Sequence, residues 1–150
     1  MFMRKLFLGV LLATVANGLA AHGDDPPVIE SITGTRVVEL LKDAGFTVAV
    51  TDEDDDVIVS MQGYRVLFFV GTYEGKNIGA RFALAGTKAT ADTVNIFDRE
   101  KRYGRVFLDD EGDPVLESDL DLEGGVTEAR VRDFLRTYNE LMVHFLRAVL

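Results

Sequence analysis

Residues 99–131 constrain the fold more than any other part of the chain. They predict a short strand over 105–108, a tight acidic turn, and a second strand over 115–122 in which apolar and acidic residues alternate. A glycine pair at 124–125 ends that strand, and Thr127 is placed to cap a following helix. Because strands joined by a tight turn pair antiparallel, the tract predicts an antiparallel sheet with a helix packed against it.

The sequence before this tract predicts a helix, four strands and a second helix. In the first strand, alternation assigns Phe46, Val48 and Val50 to the buried face. The chain closes with a long helix whose apolar stripe runs from Val131 to Val149. The predicted fold is therefore α+β, an antiparallel sheet flanked by helices in the order α-ββββ-α-ββ-α. The ranges before the tract are 33–44, 46–51, 57–61, 64–73, 78–85 and 87–101.

The third predicted strand is apolar on both of its faces. Val66, Phe68 and Val70 point to one face, whereas Leu67 and Phe69 point to the other. This pattern is typical of a central strand whose sheet is covered on both sides, by a helix, a partner subunit or a bound chain. Left exposed, the segment would promote aggregation. We therefore predict that Val66, Phe68 and Val70 contact a protein or peptide partner, which could be a second copy of the chain.

The N-terminus has the pattern of a cleavable signal peptide over residues 1–21. Arg4 and Lys5 precede an apolar run over 6–16, and small residues suited to cleavage follow. The apolar run is shorter than the ~20 residues that span a bilayer, so no stable membrane anchor is expected after cleavage. The mature protein is predicted to be periplasmic or secreted. Residues 22–32 are predicted to be a flexible leader, and residues 33–150 to form one domain.

Charge and cysteine content exclude several classes of function. The formal net charge is −9, and removal of the signal peptide's basic residues would make the chain more acidic still. An acidic chain is repelled by nucleic acid and by anionic membranes, so neither is an expected partner. The chain has no cysteine, which rules out disulfides, thiolate catalysis and cysteine-ligated zinc.

The acidic face of the strand over 115–122 is a second candidate partner surface. Glu117, Asp119 and Asp121 project from one face at intervals of about 7 Å. Calcium requires oxygens that converge on one point, whereas a straight row diverges, so a basic peptide is favoured over a metal ion as a ligand. The interpretation favoured over both is a solvated sheet face whose acids pair in part with Arg99, Lys101, Arg102 or Arg105. The acidic turns at 52–56 and 109–113 do not have the spacing of a calcium loop.

No residue is assigned a catalytic, cofactor-binding or metal-binding role from the sequence. His144 lies off the apolar stripe of the last helix and has no cysteine or serine motif beside it, so we predict a surface histidine. Paired carboxylates could serve a hydrolase, but no pair is singled out.

Three segments resemble the YbjN-domain family. They read RYGRVFLDDEGDPV over 102–115, DLDLEGGVT over 119–127 and LLKDAGF over 40–46. The resemblance covers residues 32–150. It implies a fold similar to that of type III secretion chaperones, with a curved antiparallel sheet flanked by helices. Members are described as sensory-transduction regulators with no established catalytic residues, so none is carried over.

These observations together predict an exported, non-enzymatic protein that binds a protein or peptide partner in a chaperone-like or regulatory role. No cofactor is expected. The first alternative is a periplasmic sensor of a cation or small ligand that uses the acidic hairpin. A hydrolase is the second alternative.

Overall fold

The computed structural model describes residues 26–150, so the predicted signal peptide over residues 1–21 lies outside the described part of the chain. Three α-helices are present in that part: α1 (Gly34–Asp43), α2 (Ala91–Glu100) and α3 (Glu128–Val149). Between residues 26 and 150 no helix is both long enough and apolar enough to cross a membrane. Eight strands occur in the described residues: β1 (Val28–Ile29), β2 (Ala49–Thr51), β3 (Val57–Met61), β4 (Tyr64–Phe69), β5 (Asn77–Ala83), β6 (Arg105–Leu108), β7 (Pro114–Asp121) and β8 (Val126–Thr127).

Six of the strands form one antiparallel sheet in the order β2-β3-β4-β5-β7-β6. This arrangement confirms the predicted α+β fold and the predicted order of its main elements. The third strand is shorter than predicted, because a 3₁₀ turn over Gly71–Tyr73 replaces its end. The tight turn between β3 and β4 places Gln62 at a φ of 53° and Gly63 at 82°, as a two-residue hairpin requires.

Local side-chain chemistry sets the helix ends. Thr33 and Thr127 cap α1 and α3 by accepting hydrogen bonds from backbone N–H groups three residues later. Thr90 and Thr93 form a reciprocal capping box at the start of α2, which offsets the weak helix propensity of its β-branched residues. Gly45 follows α1 with a φ of 96°, a left-handed conformation that glycine adopts without strain.

One hydrophobic core fills the space between the sheet and the three helices. Phe68 lies at its centre, with its ring centroid 5.5 Å from that of Tyr138 and 6.4 Å from that of Phe134 on α3. The Tyr138 hydroxyl donates a hydrogen bond of 3.1 Å to the Leu116 carbonyl. Burial, and then the charge of Glu117, raise the pKa of Tyr138, so the hydroxyl stays a donor. The apolar stripe of α3 therefore packs across the sheet as the sequence predicts.

The end of the predicted flexible leader is ordered against the domain. Val28 and Ile29 form β1, which pairs antiparallel with β8. Ile32 is buried, and its N–H donates a 2.9 Å hydrogen bond to the Gly75 carbonyl. The prediction missed this segment because a two-residue strand is too short to show alternation, and its stability depends on a partner strand far along the chain.

The alternation in β2 runs opposite to the prediction. Ala49 is 2% exposed and faces the core, whereas Val48 and Val50 are 65% and 57% exposed. The pairing register decides this, because it places Ala49 beside the buried Val59 and Val50 beside Ile58 on the other face. The larger apolar side chains of β2 therefore lie on the surface.

Candidate partner-binding surface

The six-stranded sheet has one face covered by the helices and one open face. Strand pairing places a row of side chains directly across the open face. Its first half is apolar and its second half is charged. In order across the sheet, the row consists of Val50, Ile58, Leu67, Arg81, Glu117 and Arg105.

The apolar half of the open face forms a continuous surface, which we call the open-face patch. Its members come from β2 and the residue just before it, from β3 and β4, and from the 3₁₀ turn. Those from β3 and β4 are half-buried by their neighbours, whereas Tyr73 is 46% exposed. The rings of Phe69 and Tyr73 pack edge to face at 6.2 Å. The patch consists of Val48, Val50, Ile58, Leu67, Phe69 and Tyr73.

The predicted partner-binding residues of the third strand lie on the covered face. Val66, Phe68 and Val70 are each 0% exposed within the core. The helices of the same chain supply their cover, so a partner cannot reach these side chains in the folded protein. Leu67 and Phe69, on the opposite face of the strand, are the apolar residues that remain accessible. The strand is apolar on both faces as predicted, but the accessible face is the other one.

The predicted acidic residues of β7 do lie on the open face, and they divide into two environments. Glu117 is enclosed by two arginines, with its carboxylate 3.0 Å from Nε of Arg105 and 3.4 Å from Nη1 of Arg81. Asp119 and Asp121 are exposed, and within residues 26–150 no basic side chain forms an ion pair with either. Glu117 is therefore neutralised within the sheet, whereas the other two carboxylates present their charge outward.

Gly79 creates a hollow between the patch and the charged row. The hollow has a volume of about 340 Å³, and Phe69, Tyr73, Glu117 and Asp119 are among its lining residues. A Cβ atom at Gly79 would lie 2.9 Å from Cε2 of Tyr73, so the ring packs here because residue 79 has no side chain. The hollow offers aromatic surface and both signs of charge to a small group.

The acidic turns use their carboxylates for local structure. Asp52 accepts hydrogen bonds from the N–H groups of Asp54 and Asp56, and Asp109 accepts from those of Glu111 and Asp113. This is ordinary Asx-turn chemistry, as predicted. Among residues 26–150, no group of three or more acidic or histidine side chains is arranged to hold a metal ion.

Asp56 is a buried carboxylate with a structural role. Its oxygens accept hydrogen bonds from the Val70 N–H at 2.7 Å, the Thr72 N–H at 3.0 Å and the Thr72 hydroxyl at 2.6 Å. Burial raises the pKa of Asp56, but these hydrogen bonds together outweigh it, and the pKa is lowered. Asp56 thus holds the 3₁₀ turn that presents Tyr73 to the open face. The sequence showed this residue only as one member of an acidic turn.

His144 is exposed on α3, as the sequence predicts. It borders a shallow groove between α2 and α3 together with Ile96 and Lys101. No carboxylate of the described residues forms an ion pair with it.

Comparison with known proteins identifies the family. The family model for YbjN, described as "putative bacterial sensory transduction regulator", matches residues 33–150. This range begins at the cap of α1 and includes the six-stranded sheet and all three helices. Among curated proteins, none matches the chain. The chain therefore belongs to the YbjN family.

Proposed function

We propose that this chain is an exported, non-enzymatic member of the YbjN family that binds a polypeptide partner on the open face of its sheet. The open-face patch carries the proposal. Its six apolar side chains are contiguous across neighbouring strands, and Val48 and Val50 are more than half exposed. Contiguous apolar patches of this kind on soluble proteins typically mark interaction sites.

The charge of the molecule favours a basic or neutral partner over a second copy. The chain carries 25 acidic and 16 basic residues, so two copies repel each other. Asp119 and Asp121 add outward negative charge beside the patch. A partner with apolar side chains and nearby lysine or arginine residues would complement both halves of the open face. The same charge opposes binding to nucleic acid or anionic lipid.

Site-specific photo-crosslinking tests the proposal. A photoreactive amino acid is placed at Val50 on the patch, with a matched control at Asn95, which is exposed on α2 on the covered side of the sheet. We expect one basic polypeptide to be captured from position 50 and not from position 95. That polypeptide, once purified, should bind the mature protein, and the double variant V48K/V50K should weaken its affinity by about tenfold.

Three results would contradict the proposal. Equal capture from positions 50 and 95 would mean that the patch is not the interface. Unchanged affinity of V48K/V50K for the purified partner would mean the same. A chain that crosslinks to itself from position 50 and has a dimeric mass in solution would assign the patch to a second copy. Export is tested separately by sequencing the N-terminus of the mature protein, which should begin at Ala21 or His22.

A small-ligand sensor is a second candidate function, because of the hollow over Gly79. Its aromatic and charged lining suits a small charged molecule, with Arg81 and Arg105 available to an anionic group and Asp119 to a cationic one. Calcium and a panel of small charged metabolites would each be tested for thermal stabilisation of the protein. Stabilisation that the variants E117Q and D119N abolish would support the sensor, and no stabilisation of the parent protein would exclude it for the ligands tested.

A further inference from the structure

The edge of β7 is only half covered by its neighbour. β7 runs from Pro114 to Asp121, and β5 pairs with it along most of that length. On the other side, the ladder with β6 ends at the pair Arg105–Glu117. Residues 118–121 therefore have a strand on one side only.

Backbone hydrogen bonds show which groups of β7 face this open side. The Leu84 N–H donates to the Pro114 carbonyl at 3.1 Å, and the Leu122 N–H donates to the Lys76 carbonyl at 2.9 Å. Even-numbered residues of β7 thus bond to β5, and odd-numbered residues bond toward β6, because bonding direction alternates along a strand. The N–H and C=O groups of Asp119 and Asp121 consequently point past the end of β6.

The chain entering β6 turns away from this edge. Tyr103, the residue that would lie opposite Asp119 if the ladder continued, has a φ of 68°, an uncommon conformation for a residue with a side chain. The extended backbone of β6 therefore does not continue to this position. The hydroxyl of Ser118 donates a hydrogen bond to the Tyr103 carbonyl and holds the turn in place. Beyond Arg105, no strand of the described residues continues the ladder along this side of β7.

A groove of about 450 Å³ lies beside the free edge. Arg130, Asp133, Phe134 and Thr137 of α3 line one side, and Tyr103, Ser118 and Asp119 line the other. Above the groove, on the open face, the carboxylates of Asp119 and Asp121 have no ion pair with any basic side chain of the described residues. Unpaired backbone groups, an adjoining groove and outward negative charge thus occur together.

We propose that an extended peptide with alternating basic and apolar residues adds to β7 as an antiparallel strand at residues 119–121. This inference rests on the proposed function, since it specifies how a polypeptide partner is held. Residues directly opposite each other in a ladder share a face, so the peptide residues opposite Asp119 and Asp121 carry the basic side chains. The residue between them points to the other face and enters the groove beside Phe134. Backbone hydrogen bonds supply affinity, and the alternation supplies specificity.

Peptides with selectively methylated backbones test this geometry. The probe is a short fluorescent peptide of alternating lysine and valine, titrated into the mature protein. Each lysine N–H faces β7 in the proposed register, whereas each valine N–H faces away from it. N-methylation of the lysines should weaken binding by about tenfold, and N-methylation of the valines should leave binding nearly unchanged. A glutamate–valine peptide should not bind measurably.

Hydrogen exchange of the protein amides gives the second measurement. The N–H groups of Asp119 and Asp121 should exchange rapidly in the free protein and become protected when the lysine–valine peptide binds. The variant D119N/D121N should lower the affinity for the lysine–valine peptide by about tenfold, whereas D110N, in the turn between β6 and β7, should leave it unchanged. Equal effects of the two methylation patterns, or no protection at residues 119 and 121, would overturn the proposal.

The outcomes separate this inference from the proposed function. If D119N/D121N loses affinity for the lysine–valine peptide but still binds the crosslinked partner, strand addition is limited to the model peptide. It would then be overturned as the way in which the partner binds. Loss of the partner in V48K/V50K, with unchanged binding in D119N/D121N, would support the open-face patch alone. Both proposals are contradicted if V48K/V50K does not weaken binding of the partner and D119N/D121N does not weaken binding of the peptide.

Discussion

The two faces of the same sheet differ in what covers them, since the helices pack on one face and the other is open. On the covered face, Phe68 is enclosed by Phe134 and Tyr138, and its exposure is 0%. On the open face, its neighbour Leu67 is half-buried and borders Ile58 and Arg81. Adjacent residues in one strand therefore have different surroundings: one face packs in the core, and the other leaves apolar surface partly accessible to solvent.

Apolar character alone does not show which face of a strand the rest of the fold covers. Both faces of β4 are apolar, yet the helices cover only one of them. Packing in the core accounts for Val66, Phe68 and Val70. It does not account for the exposed Val48 and Val50, whose burial by another molecule would be favourable by the hydrophobic effect.

The largest expected effect separates the two faces by stability. Phe68→Ala should lower the free energy of unfolding by about 3–5 kcal/mol, because it leaves a cavity at the centre of the core. Leu67→Ala, the matched control one residue away, should cost less, about 1–2 kcal/mol, because its side chain is only partly buried and solvent can fill the space it leaves. Urea denaturation of both variants measures the difference. Similar losses for the two would mean that the open face is also a structural core.

A smaller effect is expected at Asp56, which connects the core to the open face. Asp56→Asn should lower the free energy of unfolding by about 1–3 kcal/mol, since buried backbone donors of the 3₁₀ turn lose a charged acceptor. Asp54→Asn, in the same acidic turn but exposed, should change it little. Denaturation of each variant checks this. Equal effects would show that the turn responds to charge in general.

The same carboxylate predicts a pH dependence. The pKa of Asp56 is lowered in the folded protein, so its contribution to stability is full above the ordinary aspartate pKa of about 3.9. That contribution is lost as the pH falls below this value and through the folded-state pKa, because protonation removes the charged acceptor. Between neutral pH and pH ~3, the parent protein should therefore lose more stability than Asp56→Asn. Thermal denaturation across this range would reveal parallel curves if Asp56 were not the cause.

The smallest effect is expected in the charged row of the open face. Glu117→Gln should cost about 0.5–1 kcal/mol, because the arginines that enclose the carboxylate are largely exposed to solvent. Added salt should reduce the cost by screening. Asp110→Asn in the exposed turn is the control. A loss of several kcal/mol, or one insensitive to salt, would mean that Glu117 is a buried structural charge and that the two faces differ less than their exposure indicates.

Most of the fold could be predicted from the sequence, because helix caps, the spacing of apolar residues in helices and the alternation in strands are local patterns. The caps at Thr33 and Thr127, the stripe of α3 and the alternation of β7 depend on residues close in sequence. The errors fell where distant strands decide the outcome. Val28 and Ile29 are ordered by β8, and the register with β3 turns Ala49 inward and Val48 and Val50 outward. A short edge strand contains too little sequence to specify its own register.

The candidate site was only half predictable for the same reason. Glu117, Asp119 and Asp121 were correctly assigned to one face of one strand, since alternation alone determines that. Whether each is neutralised or free depends on Arg81 and Arg105, which neighbouring strands bring to Glu117 and not to Asp119. Cross-strand neighbours cannot be determined until the register is known.

Residue order and composition are enough to establish the α+β class, the family, the acidic character of the protein and the alternation of its strands. These follow from composition, spacing and local propensity, which act within a few residues. The tertiary structure alone decided which face of the sheet the helices cover, which edge of β7 remains unpaired and which carboxylates stay outward. Those features depend on where separate elements meet, and burial and hydrogen bonding between distant segments set that arrangement.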